Sequence, residues 1–82
     1  MHVKQLNKYL EKYVQRKNLT KKFVKQVRFL DENPLHPSLN LELLEPRSGG
    51  RYSFRIDRKY RAIFIFTTPD EIEIVDINSH YK

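Results

Sequence analysis

The chain contains no cysteine and only two glycines in 82 residues. Without cysteine it can form neither a disulfide nor a thiolate zinc site, which fits a reducing compartment. No stretch approaches the ~20 apolar residues of a membrane-spanning helix. Lys4 and Lys8 interrupt any early apolar run that could serve as a signal peptide. These absences predict a soluble cytoplasmic protein with no membrane partner. Both glycines, Gly49 and Gly50, follow a proline-containing turn and precede a strand, so they do not form a phosphate-cradling loop. His2, His36 and His80 are too widely spaced to suggest a metal site, and no cofactor motif is present. There is no nucleophile elbow and no cysteine nucleophile.

The length predicts one domain over residues 1–82, with a core of marginal size. The net charge of +6 is unevenly placed. Residues 1–34 hold nine Lys/Arg against three acids, whereas residues 35–82 hold seven of each. The whole excess therefore lies in the N-terminal half. A basic half of this kind suits nucleic acid, an acidic protein or an anionic surface, and it also suits a plain solvated exterior.

Val3, Leu6, Leu10 and Val14 recur at helical spacing and predict an amphipathic helix over residues 3–17. Asn18 is the expected stop, and Thr20 the expected N-cap of a second helix. That helix carries Phe23, Val24, Val27 and Leu30 and must end near Asn33, because Pro34 disfavours helical backbone before it. The short connection predicts an antiparallel helix hairpin. Residues 33–40 read as a proline-bearing loop, followed by a leucine-rich anchor and the turn at residues 46–50. The period then changes to two. Tyr52, Phe54 and Ile56 alternate with Ser53, Arg55 and Asp57, and strands follow over residues 60–66 and 71–77. The second, apolar on both faces, reads as central. The expected fold is α+β, a helix hairpin on one face of a three-stranded antiparallel meander.

Arg55 and Arg61 sit where a half-buried sheet would favour uncharged residues. Their relation depends on register. A three-residue turn sets Ile56 against Tyr60 and Arg55 directly against Arg61, whereas a four-residue turn moves Arg61 off that face. Directly opposed arginines repel and call for an anion, and the guanidinium fork matches a phosphate. Alternatively both are surface arginines, with Glu73 and Asp76 as partners for Arg61 or Arg58. His80 and Tyr81 follow the last strand. Arginines with a His and a Tyr can cleave RNA by attack of the 2′-hydroxyl on its own phosphate.

The runs NPLHPSLNLELLEP, GRYSFRIDRKYRAIFIF and EIEIVDINSHYK together resemble the RelE/ParE superfamily of type II toxin–antitoxin toxins. The resemblance covers residues 20–82 well, and its Y-S-x-R-I and Y-R-x-I-F pair is its most specific part. It implies a toxin neutralised by a cognate antitoxin. Many members cut mRNA on the ribosome, and others poison DNA gyrase. It implies catalytic roles for Arg55, Arg61 and either His80 or Tyr81. Arg51, Lys59, Lys82, Lys21 and Lys25 are the further RNA-binding candidates. Members usually begin with a strand. Here the helical stripe starts at Val3, so that strand is short or absent. An uncapped sheet edge would then be open to a second copy or to an antitoxin strand. Asp70, Glu71, Glu73 and Asp76 make the third strand less suited to RNA. The leading expectation is a metal-independent endoribonuclease. The alternatives are a ParE-like gyrase inhibitor and a non-catalytic, antitoxin-binding remnant of the fold.

Overall fold

The computed structural model describes residues 1–79. In chain order it contains β1 (His2–Val3), α1 (Lys8–Arg16), α2 (Thr20–Glu32), β2 (Glu42–Leu43), β3 (Arg51–Arg55), β4 (Arg61–Thr68) and β5 (Glu71–Asn78). Short 3-10 turns lie at Pro37–Leu39 and Arg47–Gly49.

The first helix is shorter than its apolar stripe. The side-chain oxygen of Asn7 accepts from the Leu10 amide at 2.8 Å and starts α1 at Lys8. Residues 2–3 join the sheet instead. Val3 and Leu6 still pack against the core, which is why they fell on the stripe. The helix stops where expected. Asn18 adopts the left-handed conformation at φ 59, its amide bonds the Gln15 carbonyl at 3.0 Å, and the Leu19 amide bonds that of Val14 at 2.8 Å. This is the Schellman arrangement, with Leu19 buried just beyond it. Leu19 also occupies the N-cap position of α2, with no side-chain cap bond, so Thr20 is the first helical residue and not the cap. α2 ends at Glu32, and its C-cap Asn33 directly precedes Pro34.

The sheet has five strands in the order β1-β5-β4-β3-β2. The expected meander is its centre, with β4 in the middle. Two-residue strands extend it on each side. β1 runs parallel to β5, pairing His2 with Glu71 and Val3 with Ile72. β2 runs antiparallel to β3, pairing Glu42 with Ser53 and Leu43 with Tyr52. The short first strand is therefore present, and the sheet is wider than three strands.

Leu10, Val14, Leu19 and Leu30 from the helical half form one core cluster with Phe54, Ile56, Ala62, Phe64, Ile72, Ile74 and Ile77. A bulge in β5 explains the last of these. Ile63 pairs with Asp76 and Phe64 with Ile74, leaving Val75 as the extra residue. It shifts the alternation by one, so Ile74 and Ile77 both face the core while Asp76 and Asn78 face away. Although Arg55 at the end of β3 also borders a cavity shared with α2, the helices leave the other face uncovered. There Arg51, Ser53 and Arg55 oppose Ile65, Ile63 and Arg61.

Candidate functional site

The register of the β3–β4 hairpin is set by one carboxylate. Oδ1 of Asp57 accepts from the Lys59 and Tyr60 amides, each at 2.8 Å. Its Oδ2 accepts from Lys22 Nζ at 3.1 Å. Burial alone would raise the Asp57 carboxyl, but these donors outweigh it and hold it below the ordinary carboxylate value. The turn therefore closes with three residues. The Ile56 amide donates to the Tyr60 carbonyl at 2.9 Å, and Arg55 stands directly opposite Arg61.

Both arginines line a cavity of about 410 Å³ on the helix-free face, together with Asn40, Glu42, Leu44, Ser53, Ile63 and Asn78. The two are held differently. Arg61 is locked. Its Nε and Nη2 donate to Ser53 Oγ at 3.1 and 2.7 Å, and Nη2 also donates to the Asn40 carbonyl at 2.8 Å. Ser53 is buried, so it fixes the guanidinium from below. Asn40 presents its carbonyl from a left-handed turn at φ 45, a conformation that Asn tolerates better than most residues. The loop behind it is pinned as well. His36 stacks on Phe29 with ring centres 3.8 Å apart, and its Nδ1 accepts from the Ser38 amide at 3.1 Å.

Arg55 has no such cradle. Its Nε is buried and makes no hydrogen bond among the described residues. Only its backbone is anchored. The buried Gln26 donates through Nε2 to the Arg55 carbonyl at 2.7 Å and to the Ser38 carbonyl at 3.1 Å. One side chain thus ties α2, the 36–40 loop and the end of β3 together.

The anion required by two opposed arginines is partly supplied by the chain, but not by β5. Glu73 lies 3.9 Å from Lys4, and Asp76 accepts from the Ile77 amide at 2.9 Å. Among the described residues the carboxylate beside Arg61 is Glu42, at 3.9 Å on edge strand β2. Sequence reasoning missed Glu42, Ser53 and Asn40. Ser53 could have been found, since it sits two residues before Arg55 on the same face. Glu42 gave no such signal, because β2 is too short to show a period.

The other candidates are dispersed. Arg51 shares the free face but lies four residues from Arg55, about 13 Å along the strand. Lys59 sits in the turn with Nζ 5.7 Å from the centre of the Tyr60 ring. Lys25 lines a second cavity next to Arg55, and Lys21 is exposed on α2 and lines neither cavity. His80, Tyr81 and Lys82 lie outside the described residues. Two other phenols, Tyr13 and Tyr60, meet edge to face. Burial, with Tyr60 and Asp76 nearby, pushes the Tyr13 hydroxyl above its ordinary value. Among the described residues no group of three His, Asp or Glu could hold a metal ion, and no helix is long and apolar enough to cross a membrane.

Residues 2–82 match the family model for the ParE toxin of the type II toxin–antitoxin system parDE. The chain belongs to this family and is a type II toxin of the RelE/ParE superfamily. Solved structures agree in fold. A YoeB/ParE toxin from Agrobacterium tumefaciens superposes with a TM-score of 0.71 at 19% identity, covering 99% of this chain and 100% of that one. A YoeB dimer from Staphylococcus aureus gives 0.70 at 25% identity, covering 98% and 94%. A YoeB–YefM complex from the same organism gives 0.67 at 26% identity, covering 95% and 100%. No curated protein matches the chain significantly.

Proposed function

We propose that the protein is an endoribonuclease toxin that cuts mRNA on the ribosome and is silenced by a cognate antitoxin. The observation that carries this reading is the cavity where Arg55 and Arg61 face each other with Glu42 at its rim. Two guanidiniums suit a phosphodiester that gains charge as it reacts. In the proposed step the RNA 2′-hydroxyl attacks the adjacent phosphorus. Glu42 takes its proton, the 2′-oxygen–phosphorus bond forms, and the bond to the 5′-oxygen breaks. His80 or Tyr81, two and three residues beyond Asn78 in the chain, gives that oxygen a proton. The products are a 2′,3′-cyclic phosphate and a 5′-hydroxyl. The rigid Arg61 positions, and the less restrained Arg55 follows the phosphate into its five-coordinate state. The chain's own residues supply every group in this step, and the protein works in the cytoplasm, where ribosomes and mRNA are.

The YoeB–YefM complexes support an antitoxin as partner, and the YoeB dimer supports self-association as a second mode. Edge strands β1 and β2, two residues each, are the expected places for added strands.

A second reading is inhibition of DNA gyrase, the activity that the resemblance implies for other members of the superfamily. It draws support from the match to the ParE toxin family. Induced expression in cells separates the two. Growth arrest with cut messages supports the nuclease, and gyrase-dependent DNA breaks support the inhibitor. Arg55→Ala/Arg61→Ala should relieve arrest while keeping antitoxin capture. A double variant as toxic as the wild type overturns the nuclease assignment, and harmless expression of the wild type without antitoxin points to a remnant.

A further inference from the structure

Arg55 is a wall between two cavities. One is the pocket shared with Arg61. The other, of about 390 Å³, lies toward α2 and is lined by Lys22, Lys25, Arg58 and Asp57 around the same arginine. Its charge balance is lopsided. Among the described residues that line it, Lys25 and Arg55 add two cations to the Lys22–Asp57 pair, and the one carboxylate is already engaged by Lys22 and by the amides of the turn. Lys25 makes no hydrogen bond or ion pair among the described residues, and neither does the buried Nε of Arg55. No aromatic ring lines this cavity, so it has nothing on which a base could stack. Its volume is in the range that holds a small polar group.

We propose that this second cavity is a subsite for a neighbouring backbone phosphate of the same single-stranded RNA whose reacting phosphate lies between Arg55 and Arg61. The inference rests on the nuclease reading above. It assigns Arg55 to two phosphates at once, which gives a reason for its lack of an internal partner. It assigns Lys25 to the second phosphate, with Arg58 and Lys22 contributing field. The strand would then run from the sheet's free face over the hairpin end toward α2. Recognition here is of charge, so the subsite adds affinity and direction but no base preference.

The test uses the whole protein and single-stranded RNA oligonucleotides whose 2′-hydroxyls are methylated to prevent cleavage. Binding is measured across a salt series for the wild type, Lys25→Gln and Arg61→Ala. Lys25→Gln lies on an exposed helix surface and should fold normally. With a hexanucleotide it should weaken binding about threefold, as for an exposed charge pair, and lower the salt slope by about 0.7. With a dinucleotide, which has a single phosphate, that loss should shrink. Arg61→Ala should weaken binding of both ligands. If Arg61→Ala weakens binding while Lys25→Gln matches the wild type on the hexanucleotide, the subsite is wrong and the nuclease pocket stands. The subsite is equally overturned if Lys25→Gln weakens only capture of an acidic antitoxin peptide. If the wild type binds neither oligonucleotide, or if Arg61→Ala has no effect, the parent reading fails and takes the subsite with it.

Discussion

The two faces of the sheet are built from the same three central strands and follow opposite rules. Toward the helices stand Phe54, Ala62, Phe64 and Ile72, all fully buried. Away from them stand Ser53, Arg55 and Arg61, with Glu42 added from edge strand β2. Arg61 bonds Ser53 and lies 3.9 Å from Glu42, while Arg55 stands opposite with no bonded partner for its Nε among the described residues. The first face needs only apolar bulk that fits. The second depends on distances and donors. An 82-residue chain has little stability to spare, so the charged side chains collect on the face that the helices leave uncovered.

Breaking the covered face should have the largest effect. Phe64→Ala removes a fully buried ring that touches Tyr52, Phe54 and Phe66. It should cost about 3–5 kcal/mol, and urea melts should show much or all of the fold lost. Breaking the free face should instead spare the fold and remove the chemistry. Arg61→Ala should lower cleavage by about 10²–10³-fold, with a stability loss of only about 1–3 kcal/mol from the hydrogen bonds to Ser53 and Asn40. Glu42→Gln, on an exposed edge, should act the same way through proton transfer, lowering the rate by about 10²-fold or more.

Asp57 joins the comparison at the turn that sets the arginine register. Asp57→Ala should cost about 1–3 kcal/mol, because two amides and Lys22 lose their acceptor. The sign of its pH dependence follows from the lowered carboxyl. A group depressed in the folded state stabilises above its unfolded value, about 3.9, and that contribution is lost as pH falls through the folded value. The stability gap between wild type and variant should therefore be full at neutral pH and close below about pH 4 in thermal melts. The smallest effect belongs to the helix end. Asn7→Ala should cost about 1 kcal/mol, visible as a melting shift with cleavage unchanged.

What could be read from the residues followed periodicity. The two helices, the meander, the central place of β4 and the stop at Asn18 all leave repeating or local signals. β1 and β2 do not, since two residues carry no period, and α1 looked longer because Val3 and Leu6 reach the core from outside it. The register of Arg55 and Arg61 stayed open in the sequence because it depends on whether the Asp57 side chain closes the turn. It does, with both oxygens engaged. Pairing with Glu73 or Asp76 was a reasonable expectation on charge. Glu42 comes close to Arg61 only because β2 adds to β3, a long-range pairing with no local signature. The bulge at Val75 did leave a trace, since the alternation of EIEI breaks at Val75–Asp76 and resumes one residue out of step at Ile77.

The most direct measurement is cleavage of a ribosome-bound message by purified protein, with the ends of the products identified. The wild type should leave a 2′,3′-cyclic phosphate facing a 5′-hydroxyl. Arg55→Ala/Arg61→Ala should cut at least about a hundredfold more slowly while still folding cooperatively and binding antitoxin as the wild type does. Intact message with the wild-type protein, or equal cutting by the double variant, would contradict a catalytic role for the helix-free face.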